Sequence, residues 1–171
     1  MTPPPPLTAP APVTASTEVR HVTTTSAQAR VAVLCHHDTQ ALDTAAAFLR
    51  QMGLHAAVLP EAPKPTDGGF LERLEALRDV DFAVVLLPAN ALDTTTALTK
   101  LLPRELMLEL GYLQGTIGRG RICFLLSGNA AKTLPWNGVT QMHMDDGGLW
   151  HLLLARTLKQ AGLDVDLNRA V

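Results

Sequence analysis

The chain has 171 residues, of which 47% are hydrophobic and 18% are charged, and its formal net charge is −2. This balance excludes the extended basic surface with which proteins grip a phosphate backbone, so we do not expect nucleic acid as a partner. No uninterrupted apolar run approaches the roughly 20 residues that span a bilayer, so we do not expect membrane insertion. The composition predicts one globular domain of ordinary size.

The first 28 residues differ in composition from the rest of the chain. They hold six of the 12 prolines and many threonines, and Glu18 and Arg20 are their only acidic or strongly basic side chains. Such a segment buries too little apolar surface to offset its chain entropy. We therefore predict a disordered tail over residues 1–28, acting as a linker or as a ligand for an SH3-like partner, and a domain over residues 29–171.

Two sequence features bear on the compartment. The amino terminus lacks the basic and apolar regions of a secretory signal. Cys35 and Cys123 are too few for a disulfide framework and lack the paired spacing of a zinc site. We therefore expect reduced thiols in a cytoplasmic protein.

Strand and helix signals alternate along the domain. Short apolar runs that suit buried strands fall at residues 30–35, 55–59, 82–87, 121–126 and 139–144. Apolar residues at helical spacing fall at residues 39–52, 70–77, 103–117 and 147–161. In the last of these helices, the residues expected to share the apolar face are Trp150, Leu153, Leu154, Thr157, Leu158 and Ala161. Helical crossovers imply an α/β fold with a parallel sheet covered on both faces, for which we predict the strand order 2-1-3-4-5.

In a sheet of this order, ligands bind beyond the carboxyl ends of strands 1 and 3. The segment after strand 1 contains His36, His37 and Asp38, and Asn90 follows strand 3. Adjacent side chains diverge on a turn, so we expect no metal site here. Asp38 also stands where an acidic N-cap would begin the first helix.

The helix at 103–117 carries two glutamates and a tyrosine on one side. Glu105, Glu109 and Tyr112 fall at i, i+4 and i+7, so their side chains share that face. The spacing alone favours a solvated face over a functional one. Gly111 favours function, because a glycine inside a helix costs about 1 kcal/mol relative to alanine and usually permits another backbone to approach closely.

Three segments carry a family resemblance that covers residues 30–169. They are the apolar strand at 82–87, the run from Glu109 to Gly115 followed by Gly118 and Arg119, and the run from Met144 through Trp150 to Asn168. In these segments the chain resembles bacterial TIR-like proteins that are described as nucleotide-binding and that occur fused to STING-like cyclic-dinucleotide sensors in antiphage defence. The resemblance implies a flavodoxin-like TIR fold.

Enzymatic members of that family cleave the nicotinamide–ribose bond of NAD+ with a glutamate on the helix after strand 3, and the matching residue here is Glu109. The resemblance therefore implies an NAD+ glycohydrolase that takes NAD+ as substrate and needs neither a metal nor a redox cofactor. Departure of neutral nicotinamide leaves an oxocarbenium-like ribosyl centre, which a carboxylate stabilises. The residues expected to line the nucleotide pocket are His36, His37, Asp38, Asn90, Glu105 and Tyr112.

The chain also departs from the family pattern around this site. Residues 35–38 read Cys-His-His-Asp where the family usually has His-Gly-His-Asp, and residues 87–90 lack the acidic pair that the family has there. The segment at 61–69 matches the family's assembly loop but retains little beyond Glu61 and Pro63. Glu105 stands where asparagine is common.

Because of these departures, two alternatives stay open. The first is a non-catalytic TIR-like module that binds a nucleotide or a partner TIR domain. The second is an enzyme similar to nucleoside deoxyribosyltransferases, with Glu109 as nucleophile. We expect self-association through TIR–TIR contacts, and an activator that is a separate sensor protein, a ligand or the assembly itself.

Overall fold

The computed structural model describes residues 28–35, 38–59, 68–88, 102–127 and 136–171. The tail predicted over residues 1–28 lies outside these segments except for Gln28, as do the predicted site residues His36, His37 and Asn90. Residues 61–67 of the predicted assembly loop lie outside them as well.

Within the described segments, five parallel strands form one sheet in the order β2-β1-β3-β4-β5. The strands are β1 (Arg30–Cys35), β2 (His55–Leu59), β3 (Phe82–Pro88), β4 (Ile122–Ser127) and β5 (Thr140–Met144). The three central strands are apolar and buried almost throughout, because helices cover both of their faces. The predicted order is confirmed, and each observed strand end lies within one residue of its predicted position.

Four helices of the described segments cover this sheet. They are α1 (Thr39–Gln51), α2 (Gly69–Ala76), α3 (Arg104–Thr116) and α4 (Leu149–Gln160). Side chains of α1 and α4 pack on one face, and side chains of α2 and α3 pack on the other. No helix in these segments is both long enough and apolar enough to cross a membrane.

The helical periodicity of α4 predicts the wrong position for Leu153. Trp150, Leu154 and Leu158 face the core as their spacing requires, whereas Leu153 is 40% exposed. At 3.6 residues per turn, Leu153 lies about 100° around the helix from Leu154. The buried face continues instead to Ala155, so the expectation that Leu153 shares it is wrong.

The two thiols are free and buried in the sheet, on strands that β3 separates. Burial raises the pKa of the Cys123 thiol to about 12. Burial also raises the pKa of Cys35. In its protonated form this thiol donates a hydrogen bond from Sγ to the backbone carbonyl of Asp38 at 3.0 Å. Both thiols are therefore protonated at neutral pH.

We expect the native thiols to resist modification by Ellman's reagent at pH 8. The thiolate is the reactive form, and an unfolded cysteine ionises near pH 8.5, far below the pKa of native Cys123. Both cysteines should react rapidly in concentrated guanidinium chloride and at least about tenfold more slowly in buffer. Equal rates in the two solvents would show that the thiols are not enclosed.

Candidate active site

The inward face of α3 carries a carboxylate. Leu106, Leu110 and Leu113 lie at helical spacing and pack against the sheet, and Glu109 lies among them with no exposed surface. The spacing of the polar residues predicts a solvated face for this helix, and that prediction is wrong for Glu109. The face turns inward because the four side chains occupy the i, i+3, i+4 and i+7 positions of one stripe.

A buried arginine on α2 pairs with this carboxylate. The Nε of Arg73 donates to the Oε1 of Glu109, and the two side chains are 7% and 0% exposed. The Nη2 of Arg73 also lies 3.4 Å from the carbonyl oxygen of Leu59, the last residue of β2. The ion pair therefore lies toward the carboxyl edge of the sheet, on the face covered by α2 and α3.

Arg73 and Glu109 are the two polar or charged residues that are buried among the described parts of the chain. Removing a charge from water costs several kcal/mol unless an opposite charge compensates it. Their pairing contributes such compensation to both side chains.

Two further predicted site residues flank Glu109 on α3. Glu105 lies in the first helical turn and is half-buried. Tyr112 is half-buried and packs against the apolar cluster under α2 and α3. Gly111 is exposed, and a Cβ built there would meet no atom within 4 Å, so within the described chain the predicted close backbone approach is wrong.

Asp38 caps α1, as its position predicted. Its Oδ1 accepts a hydrogen bond from the backbone nitrogen of Ala41 at 2.9 Å. Its Oδ2 accepts a second one from the hydroxyl of Ser127 at 2.8 Å. Because β3 lies between β1 and β4, this second bond joins the start of α1 to the end of β4 across the end of β3.

A cavity of about 290 Å³ opens beside this cap. It is lined by Asp38, Gln40, Ala41, Thr44, Ser127, Met144 and Asp146. Hydroxyl, amide and carboxylate groups dominate this lining, which suits a ligand rich in hydroxyl groups. The cavity lies at the carboxyl ends of β1, β4 and β5, the edge at which open parallel sheets bind ligands.

We expect Asp38→Ala to lower the free energy of unfolding by about 1–2 kcal/mol, because it removes the N-cap of α1 and the Ser127 hydrogen bond together. Urea unfolding followed by circular dichroism measures this loss. Asp43→Ala, at an exposed position of α1, is the matched control and should change stability by less than about 0.5 kcal/mol. Equal effects of the two substitutions would contradict the capping role.

A second cavity, of about 390 Å³, lies at the opposite edge, where Asp81 and Arg121 precede β3 and β4. Asp81 and Arg121, which line it, already form hydrogen bonds with other parts of the fold. The backbone nitrogen of Arg30 donates to Asp81 Oδ2 at 2.8 Å, and Nη1 of Arg121 donates to the Asp81 carbonyl at 3.0 Å. The carboxyl edge is therefore the better candidate for a functional site.

The predicted site residues come from both layers of the fold. Asp38 begins a helix on the α1 and α4 face, whereas Glu105, Glu109 and Tyr112 belong to α3 on the other face. His36, His37 and Asn90, the remaining predicted residues, lie outside the described segments.

Sequence reasoning missed Arg73 and Ser127. Arg73 did carry a signal, because it falls three residues after Phe70 and four before Leu77, both of which are buried. Helical periodicity thus places a charge at an inward position, and such a charge requires a buried partner. Ser127 gave no comparable signal, since its partner Asp38 is 89 positions away in the sequence.

Comparison with known proteins bears on the same region. Residues 30–146 match the family model of the CAP12/Pycsar effector protein, TIR domain. The chain is also 33% identical over 150 residues to the uncharacterized protein YuaY of Escherichia coli (strain K12). That alignment covers 83% of this chain and 48% of the relative, so the chain spans about half the length of the curated relative that it matches. The family match includes both Arg73 and Glu109.

Proposed function

Because the chain belongs to the TIR domain family of CAP12/Pycsar effector proteins, we propose that it is an NAD+ glycohydrolase of bacterial defence. The observation that carries this proposal is the complete burial of the Glu109 carboxylate on α3, at the position that matches the catalytic glutamate of enzymatic TIR domains. Apolar side chains commonly replace buried ion pairs without loss of stability. A buried carboxylate toward the ligand-binding edge is therefore better explained by chemistry than by packing.

The proposed reaction breaks the bond between C1′ of the ribose and the nicotinamide nitrogen. The bonding electron pair leaves with nicotinamide, which departs as a neutral molecule, and positive charge develops at C1′. The Glu109 carboxylate stabilises that charge and accepts hydrogen bonds from the ribose hydroxyls. Water then adds to C1′ and loses a proton, which gives ADP-ribose. NAD+ is the substrate, and no metal or redox cofactor takes part.

The other predicted residues hold the nucleotide in this proposal. Glu105 and Tyr112 flank Glu109 on α3, and Asp38 borders the 290 Å³ cavity at the same edge of the sheet. An ionised carboxylate has about four acceptor positions, so Asp38 can accept a ribose hydroxyl in addition to its two present donors. His36, His37 and Asn90 complete the proposed set.

The proposed active form is an assembly held by TIR–TIR contacts in the cytoplasm. A separate sensor protein is its proposed partner, since the matched family is named for effector proteins. A net charge of only −2 supports close self-association, because it produces little repulsion between copies.

Nicotinamide release from NAD+ by concentrated protein, with a crowding agent present, tests the proposal. We expect release by wild type and a decrease of at least about a hundredfold in Glu109→Gln, which keeps the shape of the side chain but removes its charge. Glu75→Gln is the matched control, because Glu75 is exposed on α2, and it should retain full activity. Equal release from Glu109→Gln, or none from wild type, would contradict the proposal.

A second candidate is a non-catalytic module that binds a nucleotide and signals by association. The enclosure of Glu109 by Arg73 favours it, because an enclosed carboxylate does not contact a substrate. Calorimetric titration of NAD+ into the assembled protein separates the two candidates. Tight binding without nicotinamide release supports the module, whereas release supports the enzyme.

A further inference from the structure

The described conformation is not a reactive one. A carboxylate that stabilises a cationic ribosyl centre has to contact the ribose, and its negative charge has to act on C1′. Glu109 meets neither condition here, since it is fully buried and its charge is compensated by the Arg73 guanidinium. If Glu109 reacts with NAD+, the ion pair has to open first.

The two helices that supply this pair are anchored very differently. α3 has 13 residues, and three of its leucines are almost completely buried against the sheet. α2 has only eight residues, of which Phe70 and Arg73 are buried. Helices this short are only marginally stable by themselves, so α2 is the element that yields at the lower cost.

We propose that the Arg73–Glu109 ion pair is autoinhibitory: Arg73 keeps Glu109 covered and neutralised, and activation consists of the separation of the two side chains. This inference rests on the proposed NAD+ glycohydrolase function and names the regulation of that site. Arg73 is a regulatory residue in this account, whereas Glu109 is the catalytic one.

Substitution of Arg73 separates this role from a structural one. Arg73→Met keeps the aliphatic part of the side chain and removes its charge, so Glu109 loses the ion pair with Arg73 and the open state is favoured. Nicotinamide release by dilute protein should then rise at least about tenfold, mainly in kcat, because the fraction of open molecules grows. Arg73→Lys keeps the positive charge and should stay within about threefold of wild type. A purely structural role would instead lower activity in Arg73→Met.

Chemical labelling of Glu109 gives a readout that does not depend on turnover. A water-soluble carbodiimide with glycine ethyl ester modifies accessible carboxyl groups, and peptide mass spectrometry locates the product. We expect slow labelling of Glu109 in dilute wild type and labelling at least about fivefold faster in Arg73→Met. Arg78→Met is the matched control, because Arg78 is exposed just after α2, and it should match wild type in labelling and in release.

Faster labelling together with faster release supports the proposal, provided that circular dichroism shows Arg73→Met to be folded. A folded Arg73→Met that labels at the wild-type rate, or that releases nicotinamide no faster than wild type when wild type is active, overturns it. If Arg73→Met does not fold, the proposal is tested with the wild-type protein alone. Glu109 labelling must then rise with protein concentration in step with nicotinamide release, and constant labelling overturns the proposal. Faster labelling without release by any form would overturn the glycohydrolase function but not the enclosure of Glu109 by Arg73.

Discussion

Arg73→Met is expected to lower the free energy of unfolding by about 3–5 kcal/mol, because it breaks the buried ion pair that Arg73 forms with the Glu109 carboxylate. Glu109→Leu should cost a similar amount for the reciprocal reason. The double variant Arg73→Met/Glu109→Leu is expected to lie within about 2 kcal/mol of wild type, since a buried ion pair replaced by apolar side chains commonly loses little stability. Urea unfolding followed by circular dichroism measures all three changes.

The double-mutant cycle measures how much of each stability loss arises from the interaction between Arg73 and Glu109. If the two side chains stabilise each other, the loss in the double variant is much smaller than the sum of the single losses. Arg78→Met, at an exposed position, should change stability by no more than about 0.5 kcal/mol. Additive losses in the double variant would show that Arg73 and Glu109 do not interact in solution.

Phe124→Ala is expected to be the most destabilising apolar substitution in the sheet, with a loss of about 3–5 kcal/mol. Phe124 is fully buried on β4, and its ring packs edge-to-face against Trp136 with 5.1 Å between ring centroids. Alanine would leave a cavity beneath α3 and would remove this aromatic contact.

Phe124→Leu separates cavity formation from loss of the aromatic contact. Leucine fills most of the volume, so its cost should be about 1.5 kcal/mol. Thermal or urea unfolding of the two variants supplies the comparison. Equal stability of Phe124→Ala and wild type would contradict the packing described for the α2 and α3 face.

The sheet could be predicted from the sequence because its signal is local. Each central strand is a continuous apolar run that only burial on both faces explains, and helical crossovers restrict the order in which such strands pair. The buried side of a helix was harder to predict. Leu71 belongs to the apolar pattern of α2 yet is 69% exposed, whereas Arg73 on the same helix is buried. Which residues face the core depends on how the helix lies against the sheet, and this depends on contacts with distant parts of the chain.

The candidate site shows the same division between local and distant contacts. The cap formed by Asp38 follows from its position before a helix, and the place of Glu109 on α3 follows from its position after β3. The burial of Glu109 could not be predicted from α3 alone, because its partner Arg73 lies 36 positions earlier, on another helix. When only the sequence of α3 is considered, a buried glutamate whose partner lies far away in the sequence cannot be distinguished from a solvent-exposed glutamate.

The ion pair has a consequence for regulation. A glycohydrolase that is active at all times would consume the NAD+ of its own cell, whereas a covered carboxylate keeps turnover low until an external change uncovers it. In the proposed regulation Arg73 provides this cover, and both partners lie within the segment that matches the TIR family model. Under this proposal, contacts between copies or with a sensor would expose Glu109 by displacing the short helix α2.

The most direct test of the glycohydrolase proposal is analysis of the products of NAD+ in water enriched in oxygen-18. Concentrated wild-type protein is predicted to give nicotinamide and ADP-ribose in equal amounts, with one atom of oxygen-18 in the ADP-ribose, and Glu109→Gln is predicted to give neither. Intact NAD+ after incubation with the assembled wild-type protein, or the same products from Glu109→Gln, would contradict the account.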